Sequence, residues 1–143
     1  MFTRHIQLYA ALVAMLLLGC SRPATNRYIV TDGTQLIKNG QPYHYMGCNM
    51  WYASILGSTG RGGDRERLCH ELDQLKALGI TNVRLLAGPD AGSDLANPAK
   101  PYLQITPGVL NDTLLAGLDY TIAELEKRDM EAVIYLNNAW DWS

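Results

Sequence analysis

The feature that most constrains the fold is an alternation of strands that are apolar on both faces with helices that are apolar on one face. Tyr43 to Met50 (YHYMGCNM), Ile80 to Leu86 (ITNVRLL) and Glu131 to Leu136 (EAVIYL) are the strand segments. Strands of this kind are buried on both sides, which is typical of a parallel sheet covered by helices. The sequence therefore predicts an α/β fold.

The segments between these strands carry helix signals. Asp64 is placed to cap a helix that runs to about Leu78, where Gly79 ends it. The apolar positions of this helix are Leu68, Leu72, Leu75 and Leu78. Asn111 or Asp112 is placed to cap the next helix. The apolar positions of that helix are Leu114, Leu115, Leu118, Ile122 and Leu125.

Two architectures fit this alternation, a doubly wound sheet and a (β/α)8 barrel. A dinucleotide-binding sheet places a glycine-rich fingerprint directly after its first strand. The glycine-rich loop Gly57 to Gly63 does not spell that fingerprint. The loops after the strands, such as Ala87 to Leu110, are long, whereas the returns from helix to strand are short, as in a barrel. We therefore expect the first three β/α units of a (β/α)8 TIM barrel.

A closed barrel takes about 250 residues, and only three such strands are found by Ser143. Residues 28–143 are therefore expected to be the amino-terminal, truncated part of a barrel domain. Asp32-Gly33 and Asn39-Gly40 each lie between short apolar or β-branched runs. Such dipeptides predict tight turns between antiparallel strands, so a small β-hairpin flap is expected before the barrel.

Residues 1–19 are typical of a signal peptide. A basic start at Arg4 precedes the apolar run Leu8 to Leu18, which is too short for a membrane span of about 20 residues. Gly19-Cys20 after this run is similar to a bacterial lipoprotein signal, so Cys20 is expected to be lipidated and residues 20–27 to form a tether. The protein would then be exported and anchored to a membrane, in the periplasm or at the cell surface. The alternatives are an ordinary signal peptide with Cys20 as a spare thiol, and secretion.

Composition narrows the range of partners. The formal net charge is −2 and the Lys and Arg residues form no cluster, so the electrostatic signature of a nucleic-acid binder is missing. Cys48 and Cys69 are permitted to form a disulfide in an exported protein, but their strand and helix positions favour two buried thiols. No spacing typical of a metal site is present, and no cofactor is expected.

Side chains at the carboxyl ends of barrel strands, and in the loops after them, line the active site of a barrel. The candidates are Asn49, Trp51, Tyr52, Arg84, Asn137, Asn138, Trp140, Asp141 and Trp142. Aromatic rings stack on sugar faces and amides bond to hydroxyl groups, so this composition is typical of a carbohydrate cleft. Trp51 is equally suited to plugging the top of the barrel.

Arg84 is the most unusual of these candidates. It lies between Val83 and Leu85 in an otherwise apolar strand. Burial of an unpaired guanidinium is very costly, so Arg84 is expected to meet an anion. This anion would belong either to a structural ion pair or, as we favour, to a catalytic carboxylate that Arg84 orients from the barrel interior.

Five segments carry a family resemblance: Gly47–Tyr52, Glu71–Leu75, Gly79–Leu86, Gly117–Asp119 and Leu136–Ser143. Together they resemble glycoside hydrolase family five, and its endo-β-1,4-mannanases in particular. The resemblance implies retaining hydrolysis of β-1,4-mannosidic bonds by two glutamates about 5 Å apart, one acting as acid and base and the other as nucleophile. In the family these glutamates follow the fourth and seventh strands. No catalytic residue is therefore expected in this fragment, which would be inactive alone.

The resemblance also implies roles for individual residues. Arg84 matches the family's second-strand arginine, which steadies the nucleophile. Trp51 and Tyr52 match the first-strand aromatics, and Asn138 and Trp140 match the third-strand segment that borders the cleft. These four are expected to bind β-mannan or a related polysaccharide. The alternatives are another family-five β-1,4-glycanase, such as a cellulase, and a non-catalytic glycan-binding surface lipoprotein.

Overall fold

The computed structural model describes residues 28–89 and 100–136, and the chain divides into two compact units, Met1–His44 and Tyr45–Ser143. The strands are β1 (Val30–Asp32), β2 (Gln35–Lys38), β3 (Gln41–Pro42), β4 (Gly47–Asn49), β5 (Asn82–Leu86), β6 (Gln104–Thr106), β7 (Val109–Leu110) and β8 (Glu131–Tyr135). The helices are α1 (Ala53–Gly57), α2 (Arg65–Ala77) and α3 (Asp112–Lys127). The predicted signal peptide, Cys20 and the tether lie outside the described residues.

The first unit contains the predicted flap. β1 pairs with β2 and β2 with β3, both antiparallel. Asn39 and Gly40 connect β2 to β3, with φ values of 54° and 75°. Two successive positive φ values are those of a type I′ turn, whose twist matches the twist of the flanking strands. The flap prediction is confirmed, with three short strands instead of a single hairpin.

The second unit is built on a parallel sheet with the strand order β4–β5–β8. Cys48 pairs with Val83, which pairs with Ala132. α2 lies between β4 and β5 in the chain, and α3 lies between β5 and β8. Parallel strands joined by helical crossovers confirm the predicted α/β fold, and the arrangement is consistent with an incomplete barrel.

The first strand of this sheet is shorter than predicted. The segment Tyr43 to Met50 was expected to be one strand, but β4 begins only at Gly47. Tyr43 instead donates its backbone N–H to the carbonyl of Leu36 in β2. The first part of the predicted strand is therefore bonded to the flap.

The hydrophobic core lies between the parallel sheet and the helices. Val83 and Leu85 of β5 belong to one buried cluster with Leu68, Leu72 and Leu125 of the two longer helices. Side chains alternate between the two faces of a strand. Arg84 therefore projects from the face opposite to the one that the helices cover.

The predicted cap at Asp64 is confirmed, and of the two caps predicted for α3 the structure has Asn111. The Asp64 side chain accepts a hydrogen bond from the backbone N–H of Arg67 at 2.9 Å, and Asn111 accepts one from Leu114 at 3.2 Å. Gly79 follows the end of α2 with a φ of 83°. Leu78, predicted to lie on the apolar face of α2, is 73% exposed, because it caps the helix where the chain turns away.

Two elements lie in segments that were predicted to be loops. One is the β6–β7 hairpin, within Ala87 to Leu110. The other is α1, which packs against α3 at very short range. A Cβ atom added to Gly117 of α3 would lie only 2.3 Å from the carbonyl oxygen of Ser54. The Thr121 hydroxyl of α3 donates a hydrogen bond to the carbonyl of Ala53 at 3.0 Å.

An ion-pair network joins the two longer helices. Arg128, just after α3, contacts Asp73 of α2 and Glu124 of α3, each at 2.7 Å. Glu124 is buried and also bonds to Lys127. The hydrogen bond from Lys127, followed by the one from Arg128, lowers the pKa of Glu124 to about 2. This network holds the carboxyl end of α3 against α2.

Cys48 and Cys69 are both free thiols, as predicted. They are half-buried, whereas burial was expected. Within the two described ranges, no helix is both long and apolar enough to cross a membrane.

Candidate functional site

The carboxyl ends of the three parallel strands meet at one edge of the sheet. Asn49 ends β4, Leu86 ends β5 and Tyr135 ends β8. Trp51 and Tyr52 follow β4 directly and so begin at the same edge. The structure thus brings Asn49 and Arg84 together, whereas Tyr52 packs against the core on the helix side of the sheet. The third-strand candidates, Asn137, Asn138, Trp140, Asp141 and Trp142, lie outside the described residues.

Arg84 occupies the middle of the sheet face that the helices leave open. It lies opposite Asn49 of β4 and Val133 of β8 in the strand register. Its Nη1 atom donates a long hydrogen bond, 3.4 Å, to Oδ1 of Asn49. Its guanidinium carbon lies 3.6 Å from the centre of the Tyr135 ring. Groups from both neighbouring strands therefore contact the guanidinium.

The expectation that Arg84 meets an anion stays a prediction, because the groups expected to supply that anion lie outside the described residues. Arg84 is exposed, although the other four residues of β5 are buried. Among the carboxylates of residues 28–89 and 100–136, none forms an ion pair with it. A guanidinium in contact with water keeps its hydration and needs no counterion, and the negative face of an aromatic ring attracts it further. The predicted role of orienting a carboxylate stays a prediction.

Tyr135 is a site residue that the sequence analysis missed. Its side chain is half-buried, and its hydroxyl oxygen is buried with no hydrogen-bond partner among the described residues. A buried hydroxyl without a partner costs about 1–3 kcal/mol. The signal available in the sequence was a single tyrosine at the end of an aliphatic strand, two residues beyond the position that pairs with Arg84.

Trp51 and Tyr52 form an aromatic pair at the start of α1. Their ring centres are 5.7 Å apart and their planes meet at 86°, an edge-to-face arrangement. The Tyr52 hydroxyl donates to Oε2 of Glu71 in α2 at 2.8 Å. Burial and this hydrogen bond raise the pKa of Tyr52. Tyr52 is therefore anchored to α2 through its hydroxyl, and its ring supports Trp51.

These side chains have a common chemical character. Asn49, Trp51, Tyr52, Arg84 and Tyr135 offer one amide, one cation and three aromatic rings, and none carries a carboxyl group. They are suited to binding and orienting substrate groups. In the part of the chain that the structure describes, no group of three His, Cys, Asp or Glu side chains could hold a metal ion.

Comparison with known proteins places this chain in a family. The family described as GH family 5 beta-mannosidase-like matches residues 26–143. The putative mannan endo-1,4-beta-mannosidase 9 of Oryza sativa subsp. japonica is 33% identical over 118 residues, which cover 82% of this chain and 27% of the relative. Mannan endo-1,4-beta-mannosidase 3 of Solanum lycopersicum is 28% identical over 127 residues, covering 89% of this chain and 29% of the relative.

A solved structure agrees with these relatives. The glycoside hydrolase family 5 mannosidase from Rhizomucor miehei is 32% identical with a TM-score of 0.77, over 84% of this chain and 30% of that chain. The chain thus spans about three tenths of the length of the proteins that it matches. Because the family match extends over nearly all of the chain after residue 25, the chain belongs to the β-mannosidase-like group of glycoside hydrolase family five.

Proposed function

We propose that the protein to which these 143 residues belong hydrolyses β-1,4-mannosidic bonds in mannans with retention of configuration. The observation that carries the proposal is the family match over residues 26–143. Relatives named mannan endo-1,4-beta-mannosidase support the choice of substrate. Two glutamates perform the reaction, one as acid and base and the other as nucleophile. Both glutamates lie in parts of the protein beyond these 143 residues.

The residues of this chain bind and orient in the proposed reaction. Arg84 faces the open side of the sheet and has only neutral contacts within the described ranges. Its positive charge is therefore uncompensated there, which suits it to steady the carboxylate of the nucleophile. Such a contact lowers the pKa of a carboxyl group and keeps it ionised for attack.

The aromatic pair is the proposed sugar-binding element. Tyr52 is anchored by Glu71, so the Trp51 ring has a fixed neighbour at the rim. A flat indole face stacks on the apolar face of a mannose ring. Asn138 and Trp140 are proposed to border the same cleft, on the basis of the sequence resemblance alone. In the complete protein, the parallel sheet continues from β8 into a closed (β/α)8 barrel.

Activity of the full-length protein on galactomannan, compared with carboxymethylcellulose, tests the proposal. We expect faster release of reducing ends from galactomannan, and no hydrolysis by the 143-residue chain alone. Arg84→Ala should lower kcat by about a hundredfold or more, whereas Lys76→Ala, a control at the exposed carboxyl end of α2, should leave it unchanged. Faster hydrolysis of carboxymethylcellulose would support a cellulase instead. Retardation in a mannan gel without any hydrolysis would support a glycan-binding lipoprotein.

We propose separately that the protein is exported and lipidated at Cys20, after removal of residues 1–19. The support is the apolar run Leu8 to Leu18 followed by Gly19-Cys20. Radiolabelled palmitate should be incorporated into the protein expressed in a bacterial host, and Cys20→Ser should abolish the incorporation. Equal labelling of both forms would contradict the proposal.

A further inference from the structure

We propose that Tyr135 is a positioning residue that fixes the plane of the Arg84 guanidinium. The inference rests on the proposed function, in which Arg84 steadies a catalytic carboxylate. Tyr135 would act on the reaction only through Arg84, and it would do so with its ring and not with its hydroxyl.

The strand register brings the two side chains together. Arg84 pairs with Val133 across the β5–β8 boundary, and Tyr135 lies two residues further along the same face of β8. The ring centre and the guanidinium carbon are 3.6 Å apart, which is a stacking distance. On the opposite side, Asn49 accepts a hydrogen bond from Nη1. The guanidinium is therefore held between an aromatic ring and an amide.

Arg84 needs such a support because nothing stronger holds it within the described residues. It is exposed, and the ion pairs of residues 28–89 and 100–136 do not include it. A long arginine side chain has many rotamers, and bidentate binding of a carboxylate requires one defined plane. A ring over the guanidinium favours one plane and itself occupies none of the edge N–H groups. A carboxylate in the same position would instead neutralise the charge that the reaction requires.

The role of the Tyr135 ring can be tested separately from that of its hydroxyl. It is buried and has no hydrogen-bond partner among the described residues, so it contributes no favourable bond there. Removing the hydroxyl while keeping the ring should therefore preserve the support. Removing the ring while keeping an apolar side chain should abolish the support.

The test compares Tyr135→Phe, Tyr135→Leu, Arg84→Ala and the double variant Arg84→Ala/Tyr135→Leu in the full-length protein. Tyr135→Phe should keep kcat/KM for galactomannan within about twofold. Tyr135→Leu should lower kcat about three- to tenfold with little change in KM. It should also move the acid limb of the pH–rate profile to higher pH, because a poorly placed guanidinium lowers the pKa of the carboxylate less. In the Arg84→Ala background, Tyr135→Leu should have no further effect on kcat.

Tyr120→Leu is the matched control. It removes a similar contact between helices, where Arg65 lies 3.9 Å from the Tyr120 ring. This variant should lower the melting temperature and leave kcat and the pH profile unchanged at temperatures well below melting.

Two kinetic results would overturn the inference. One is that the effects of Tyr135→Leu and Arg84→Ala on kcat multiply. The other is that Tyr135→Phe is as damaging as Tyr135→Leu, which would assign the role to the hydroxyl. Failure of the proposed function has a different signature, namely no hydrolysis of mannan by the parent protein. In that case the contact between Tyr135 and Arg84 is tested through stability, from the urea midpoints of Tyr135→Leu, Arg84→Ala and the double variant. If the shift of the double variant differs from the sum of the two single shifts, the contact is supported; if it equals that sum, the inference is overturned.

Discussion

Gly117→Ala is the sharpest test of how α1 is held against α3. An alanine inside a helix is normally more stable than a glycine by about 0.5–1 kcal/mol. At Gly117, however, the new methyl group would lie 2.3 Å from the Ser54 carbonyl oxygen, 2.6 Å from the Ser58 nitrogen and 2.8 Å from the Ser58 Cα. All three are backbone atoms, so no side-chain rotation relieves the contact. The short helix must move by about 1 Å to restore ordinary contact.

The magnitude follows from opposing effects. Overpacking of this kind costs about 1–3 kcal/mol. Moving α1 also weakens the hydrogen bond from Thr121 to the Ala53 carbonyl, which contributes about 1 kcal/mol. The gain in helix propensity offsets roughly 1 kcal/mol of this cost. We therefore expect Gly117→Ala to lower the free energy of unfolding by about 2 kcal/mol.

Urea denaturation followed by far-UV circular dichroism measures this change. Ala116→Gly is the matched control, because residue 116 is exposed on the same helix. This substitution changes only the helix propensity and should lower the free energy of unfolding by about 1 kcal/mol. A Gly117→Ala protein as stable as the parent, or more stable, would refute the packing described between α1 and α3.

Other substitutions test the remaining contacts. Asp64→Ala and Asn111→Ala should each lower the free energy of unfolding by about 1 kcal/mol, since each removes a helix cap; changes below 0.3 kcal/mol in urea titrations would contradict this. The pKa of Glu124 is lowered from 4.5 to about 2 in the folded protein, so its ion pairs stabilise the fold fully above pH 4.5 and lose this contribution as the pH falls towards 2. Glu124→Gln should flatten the dependence of the urea midpoint on pH across that window, and an unchanged curve would count against it. Tyr52→Phe removes the hydrogen bond to Glu71 and should lower the free energy of unfolding by about 1 kcal/mol; an unchanged urea midpoint would contradict this.

Local signals in the sequence predicted local structure well. The cap at Asp64 and the turn at Asn39-Gly40 depend on residues within three positions of one another, and both were predicted, as was a cap for α3 at either Asn111 or Asp112. The α/β fold was predicted because the apolar pattern of each strand and helix can be read within that segment alone. The five-residue helix α1 was missed because it is too short to show periodicity. Its position depends on contacts with α3 more than fifty residues away in the chain.

The site was harder to predict than the fold. Arg84 was correctly assigned to a strand, but its exposure was not predicted, because alternation does not reveal which face of an apolar strand the helices cover. Tyr135 was missed because its importance comes only from the register between β5 and β8. The predicted roles of Asn138 and Trp140 remain untested, since both lie outside the described residues.

The hydrogen bonds that hold α1 in place have a consequence for ligand binding. Its first residues are bonded to α3 through Thr121 and to the end of β5 through the hydrogen bond from Ser54 Oγ to the Leu86 carbonyl, 3.1 Å. The aromatic residues that precede α1, which we propose bind the sugar, are therefore preorganised. Binding to a preordered ring loses little conformational entropy. We expect the affinity at this subsite to depend on the fit of the sugar to a rigid surface and not on closure of the protein around it.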